Sequence, residues 1–169
     1  MEAQRQPIQV AAEALSPEAV WARPEAERWS IGENLQHLKK MMGLFRRVSR
    51  VALVMERPLA RVRHGRPFPI QARNVFSGRA RRAPFPIRPR RPATAQTSTA
   101  LMQDLERETH ELMRLLRGEE EAVLGHVWLW DPVMGRQNLI QVVHLLALPE
   151  EHHFDILRRR WPEVFPALQ

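Results

Sequence analysis

The chain of 169 residues contains no cysteine. Disulfides, thiolate metal sites and cysteine nucleophiles are therefore excluded, and redox logic leaves the compartment undecided. The chain also lacks a basic start followed by an apolar core, so no signal peptide is expected. Its longest apolar runs fall far short of the roughly 20 residues that cross a bilayer. The expectation is a soluble, cytoplasmic protein with no membrane partner. No Gly-rich phosphate loop, Ser-His-Asp order or nucleotide fingerprint is present. Acid is missing locally: from Arg57 to Pro92 there are eleven arginines, no lysine and no acidic residue. The net charge of +7 comes from that segment, because taking eleven from the 26 basic residues leaves 15 against 19 acidic ones.

What is present is helical periodicity. Residues 8 to 15 predict a short first helix stopped by Ser16-Pro17, with Ser16 capping a brief turn, PEAVW. Ser30 followed by Glu33 fits a capping box, with Trp29 at the N′ position of a hydrophobic staple. Ile31, Leu35, Leu38, Met42 and Phe45 form one apolar row, which predicts a long helix over 31–55. Residues 57 to 97 hold seven prolines by Pro92 and almost no periodicity. That crossover must either drape over the body, anchored by Phe68, Ile70, Phe76, Phe85 and Ile87, or be mobile. Thr97-Ser98 opens another helix with a Leu101, Leu105, Leu112, Leu115, Leu116 face and a stop at Gly118. Residues 119 to 137 are expected to be an irregular connection with Val127, Trp128, Leu129 and Trp130 packed.

The last stretch, Asn138 to Trp161, carries an apolar stripe of Leu139, Val142, Val143, Leu146, Ile156 and Leu157. Pro149 interrupts it. Mid-helix it would clash with the carbonyl of Leu145 and cost about 3 kcal/mol, so the helix bends there or a second segment starts with Pro149 in its first turn. The expected fold is one domain over 1–169. It is an all-α, up-down four-helix bundle with a long irregular basic crossover (57–97) between helices 2 and 3, and no strand.

Seven histidines are available. His37, one turn ahead of Met41 and in phase with Leu44, points toward the bundle. His153, seven after Leu146 and four before Leu157, also points inward. Two inward imidazoles on different helices could complete part of a metal site, although two protein ligands seldom hold zinc tightly. His152 reads as an exposed neighbour, His144 as a boundary residue and His110 as solvated among Glu108 and Glu111. Glu33 reads as a cap, and Met41, Met42 and the tryptophans as core.

The run Trp29-Ser30-Ile31-Gly32-Glu33-Asn34-Leu35-Gln36-His37-Leu38 resembles the helix-two motif of the DinB-like four-helix proteins. Pro132 to Leu139, continuing to Glu150 and His153, resembles their last-helix region. The resemblance implies a bundle-core divalent metal held by three histidines, with zinc, nickel or iron as candidates. It also implies hydrolase or thiol-transferase chemistry on an unidentified small molecule, and a homodimer. By position, His37 matches the first ligand and His153 the last, while the middle ligand falls on Pro149. Glu150 matches an acidic residue that often follows the missing histidine. Three outcomes stay open: Glu150 swings in as the third ligand, the pocket holds only hydrogen-bonded histidines, or a metal binds weakly with waters filling the gap. The competing expectation is a non-catalytic binding protein. Its arginine-rich crossover would contact nucleic acid or an acidic partner, with Phe68, Phe76 and Phe85 stacking on unpaired bases.

Overall fold

The structure, a computed structural model, describes residues 2–72, 87–131 and 135–165. Its first helix, α1 (Glu2–Glu13), starts earlier than its apolar residues predicted and runs through Pro7. Ile8 and Ala12 are its buried positions. α2 (Pro17–Trp21) is capped as expected, with the Ser16 hydroxyl accepting from the Ala19 N–H.

α3 (Ile31–Val62) opens with the full capping box: Glu33 N–H donates to Ser30 Oγ, and Ser30 N–H donates to the Glu33 carboxylate. Gly32 lies against Trp21 so closely that a Cβ would meet the indole at 2.8 Å, which fixes the crossing of α2 and α3. The indole N–H donates to the Gln96 carbonyl, tying the same corner to the chain leading into α4. The helix does not end at 55. It passes through Pro58 to Val62, because its last turns are held by tertiary contacts that outweigh one missing backbone bond. Ala60 is buried there, Glu56 accepts from the Trp128 N–H, and Arg57 pairs with Glu119.

α4 (Ser98–Arg117) is capped by Thr97 and ends at Gly118, packing along α3 through Leu101, Leu105, Leu112 and Leu116. Two ion pairs between these helices, Lys39 with Asp104 and Arg46 with Glu108, fix their register.

The expected irregular connection is partly regular. α5 (Glu121–His126) is followed by an antiparallel hairpin, β1 (Trp128–Asp131) with β2 (Gly135–Asn138). The pairing runs from Trp128 opposite Asn138 to Asp131 opposite Gly135. The expectation of no strand is corrected here. The first strand has two tryptophans that suit a pleated surface, but its partner reads Gly-Arg-Gln-Asn and shows no apolar alternation. Arg136 lies 4.6 Å from the centre of the Trp128 ring, a cation–π contact across the pair. Trp130 is also corrected: it is 74% exposed instead of packed. Gly135 takes a positive φ of 71° where the chain enters β2, a conformation glycine adopts without penalty.

α6 (Leu139–Leu145) carries a second capping box, Asn138 with Gln141. α7 (Ala147–Arg160) starts two residues later, with Pro149 in its first turn. Of the two outcomes open for Pro149, the chain takes the second: the Leu145 carbonyl is freed from a proline ring that could not bond it.

The described flanks of the crossover drape over the body. Phe68 covers Gly125 and His126, and the Pro69 and Gln71 carbonyls accept from the Asn138 and Gln141 side chains. On the far side Arg88 O accepts from Lys40, and Arg90 N–H donates to Gln36. Phe76, Phe85 and four of the arginines fall outside the described residues. Among the described residues the result is an all-α bundle with one small two-stranded sheet. Its core runs through Trp21, Ile31, Leu35, Leu38, Met42, Leu101, Leu105, Leu112, Leu139, Phe154 and Leu157, each such large side chain contributing about 1.5–3 kcal/mol by leaving water.

Candidate metal centre

His37 and His153 come from different helices and meet. Their ring centres are 4.8 Å apart, tilted by 54°. α3 brings His37 inward because it shares a face with the buried Asn34, Leu38 and Met41. α7 brings His153 beside the buried Phe154 and one turn ahead of Leu157. Trp29 closes the pair on one side: its ring stacks on His153 at 6.0 Å with 7° between planes, and lies 5.0 Å from His37. The staple expected at Trp29 does not form as such, since the position it would clamp is Asn34, a polar residue.

The protons on these rings follow from their partners. His37 Nδ1 is 2.8 Å from the Ile87 carbonyl oxygen, which only accepts, so Nδ1 is the protonated nitrogen. His153 Nδ1 is 2.8 Å from Asn34 Oδ1. The amide of Asn34 is oriented by its own Nδ2, which donates to Ser30 O at 2.8 Å, so Oδ1 is the acceptor offered to His153. Both neutral imidazoles are thus Nδ1–H tautomers, and each has its free lone pair on Nε2. Histidine ligands are commonly held by this kind of outer bond, which fixes both ring orientation and tautomer.

Glu150 has a different surrounding. It is fully buried, and Arg5 of α1 grips both its oxygens, Nε to Oε1 at 2.8 Å and Nη2 to Oε2 at 2.7 Å. Arg5 Nη2 also donates to Thr109 Oγ1 at 2.8 Å, and that hydroxyl donates to Leu105 O. This two-point ion pair joins α1, α4 and α7. Among the described residues, no group of three or more His, Asp or Glu side chains is arranged to hold a metal ion. Pro149, where the resemblance would put a third ligand, is buried and has no side-chain donor atom.

His110 and His152 are exposed as the spacing predicts, and His144, expected at a boundary, is exposed as well. His126 was not anticipated as a buried group. Its Nδ1 bonds Ala122 O, and its Nε2 lies buried beside Phe68 without a hydrogen-bond partner. Glu33 is a cap as expected, and also takes Arg23. Although burial opposes ionisation, the bonds from Arg23 and Ser30 hold its carboxyl below the usual range. Sequence reasoning missed Asn34 and Ile87 as partners of the two histidines. Asn34 left a trace, because an asparagine inside a helix favours a local backbone bond such as the one to Ser30 O. A backbone carbonyl at Ile87 leaves none.

Burial pushes the His153 pKa down to about 3, helped by the nearby charges of His37, His152 and Arg160. Burial also lowers His37, only partly offset by its bond to Ile87, with Lys40 adding to the shift. His153 therefore stays neutral where an unfolded histidine begins to charge, near pH 6.5, and His37 is displaced in the same direction. Above that pH neither state is protonated and stability is full. Below it the unfolded chain gains protons that the native pocket refuses, so stability falls with pH, by about 1 kcal/mol per unit for His153. Urea midpoints measured at pH 7, 6 and 5 should decline less steeply in His153→Gln than in the unchanged chain. Parallel declines would refute the neutral pocket.

Fold and pocket together define a helical-bundle protein with a histidine pair between α3 and α7. The chain belongs to the DinB superfamily: a sequence model of that superfamily matches residues 1–157. No curated protein and no solved structure matches the chain. The superfamily is generally associated with metal-dependent enzymes. The donors present fit a divalent ion in kind, because two Nε2 lone pairs sharing one ion at about 2.0–2.1 Å would set ring centres about 5 Å apart. They are short in number, since a catalytic zinc usually keeps three protein ligands. Among the described residues, no helix is long and apolar enough to cross a membrane.

Proposed function

We propose that the pocket is a divalent-metal site of the DinB metal-dependent type, reduced to His37 and His153 and therefore weakly binding. The observation that carries this reading is the paired tautomer: both Nδ1 atoms are committed to oxygens that only accept, so both metal-binding nitrogens remain available. Our reading gives Glu150 a structural role, because Arg5 already engages both its oxygens. A bound ion of this kind supplies an activated water or thiol for hydrolase or thiol-transferase chemistry. Within the chain, Asn34 and Ile87 hold the imidazoles in the ligating tautomer, and Trp29 shields them from water on one side. Zinc, nickel and iron all accept imidazole.

Calorimetric titration with zinc and with nickel at neutral pH tests the reading. One ion per chain should bind with a dissociation constant in the range of roughly 10–100 µM, and His37→Ala and His153→Ala should each abolish that binding. Binding that survives both substitutions, or none at millimolar metal, would remove the proposal.

A further inference from the structure

The outer face of the C-terminal half of α3 is an uncovered apolar ridge. Val51 is 57% exposed, Val54 74%, Met55 75%, Leu59 50% and Val62 83%, while Ser49, Leu53 and Ala60 on the opposite face are fully buried. Val48, Met55 and Val62 recur at seven residues, with Val51 between them at the matching offset. This is the spacing of a seam that takes another helix, about 21 Å long at 1.5 Å per residue. At 100° per residue Arg50 and Arg61 fall on the same flank of the ridge, about three turns apart. Both are exposed, and neither has an ion-pair partner among the described residues. The only acid on this part of the helix, Glu56, lies toward the core side and accepts from Trp128 N–H.

Charge selects the occupant. In a symmetric antiparallel pairing of two copies, the same flank meets itself, so arginines would face arginines. The chain's own segment 73–86 is no better suited, since it carries four arginines and no acid. A lipid surface would favour bulky aromatic anchors, and this ridge is built of valine, methionine and leucine. We infer that the ridge Val48–Val62 docks an acidic amphipathic helix from another protein, with its apolar seam on Val51, Met55 and Val62 and its carboxylates on Arg50 and Arg61. This surface is separate from the histidine pocket.

The test uses the full chain and a fluorescent four-heptad peptide with leucine at the seam and glutamate on both flanks, compared with the same peptide carrying lysine on the flanks. The glutamate peptide should bind, and the lysine peptide about tenfold or more weakly. M55S/V62S should lower binding at least about tenfold without moving the unfolding midpoint, because both side chains are already in water. R50E/R61E should reverse the preference between peptides. Absence of glutamate-peptide binding at roughly 100 µM, or equal binding of both peptides, overturns the inference. Two other results also overturn it. A dimer of the full chain that M55S/V62S dissociates gives the ridge to a second copy. Flotation with phosphatidylserine-containing vesicles that the same variant abolishes gives it to a membrane.

Discussion

Glu150→Ala is expected to cost about 3–5 kcal/mol of folding stability, because it leaves the Arg5 guanidinium buried with no counter-charge. Arg5 is 6% exposed and Glu150 is fully buried, so water cannot substitute for the lost carboxylate. Thr109 alone cannot neutralise the remaining cation. For a chain of this size the loss corresponds to a fall in Tm of roughly 10 °C or more. Replacing both partners by apolar residues of similar length, R5M with E150M, should recover most of it, since a buried ion pair contributes little beyond a well-packed apolar pair. Chemical denaturation with a chelator present distinguishes this role from metal binding. A structural ion pair loses its stability in metal-free protein, whereas a metal ligand would show its effect only with the ion bound. A loss below about 1 kcal/mol for Glu150→Ala in metal-free protein would contradict the structural assignment.

Pro149→His is expected to produce the largest change in ligand binding. Position 149 is one turn before His153 on α7, so its side chain rises on the same face. The resemblance places the missing third ligand there. A third imidazole should tighten zinc binding by about a hundredfold or more, and His37→Ala added to it should remove the gain. Pro149→Ala separates the effect of the restored backbone N–H from that of the new ligand, and it should leave metal affinity unchanged. Competition with a chromophoric chelator measures all four proteins. A folded Pro149→His protein binding zinc no better than the unchanged chain would show that the two imidazoles do not face a common ion.

The legible parts of this fold were those written locally. α3 and α4 declared themselves through apolar rows and through Ser30, Glu33 and Thr97 at their starts, features separated by only a few residues. The convergence of His37 and His153 was likewise readable from helical phase against Met41, Leu44 and Leu157. The end of α3 was not, because Pro58 has the local signature of a stop. What carries the helix past it is remote: Arg57 to Glu119, and Glu56 to the backbone of Trp128. The hairpin was hidden for a similar reason, since Gly135–Asn138 acquires its strand character only from its partner. Glu150 was judged against its neighbours in sequence, whereas its partner Arg5 stands 145 residues away. Long-range polar pairs of this kind have no periodicity to betray them.

The bond between His37 and Ile87 ties the pocket to the point where the long connection rejoins the bundle. Trimming that connection is therefore safe for the imidazole only if the cut stops short of Ile87. Remove that one carbonyl and the ring loses its reason to keep its hydrogen on Nδ1. It could then move the hydrogen to Nε2 and mask the very lone pair that the proposed ion would take. A shortened variant would look intact by circular dichroism while the proposed affinity of its interior for an ion had been lost with one peptide oxygen.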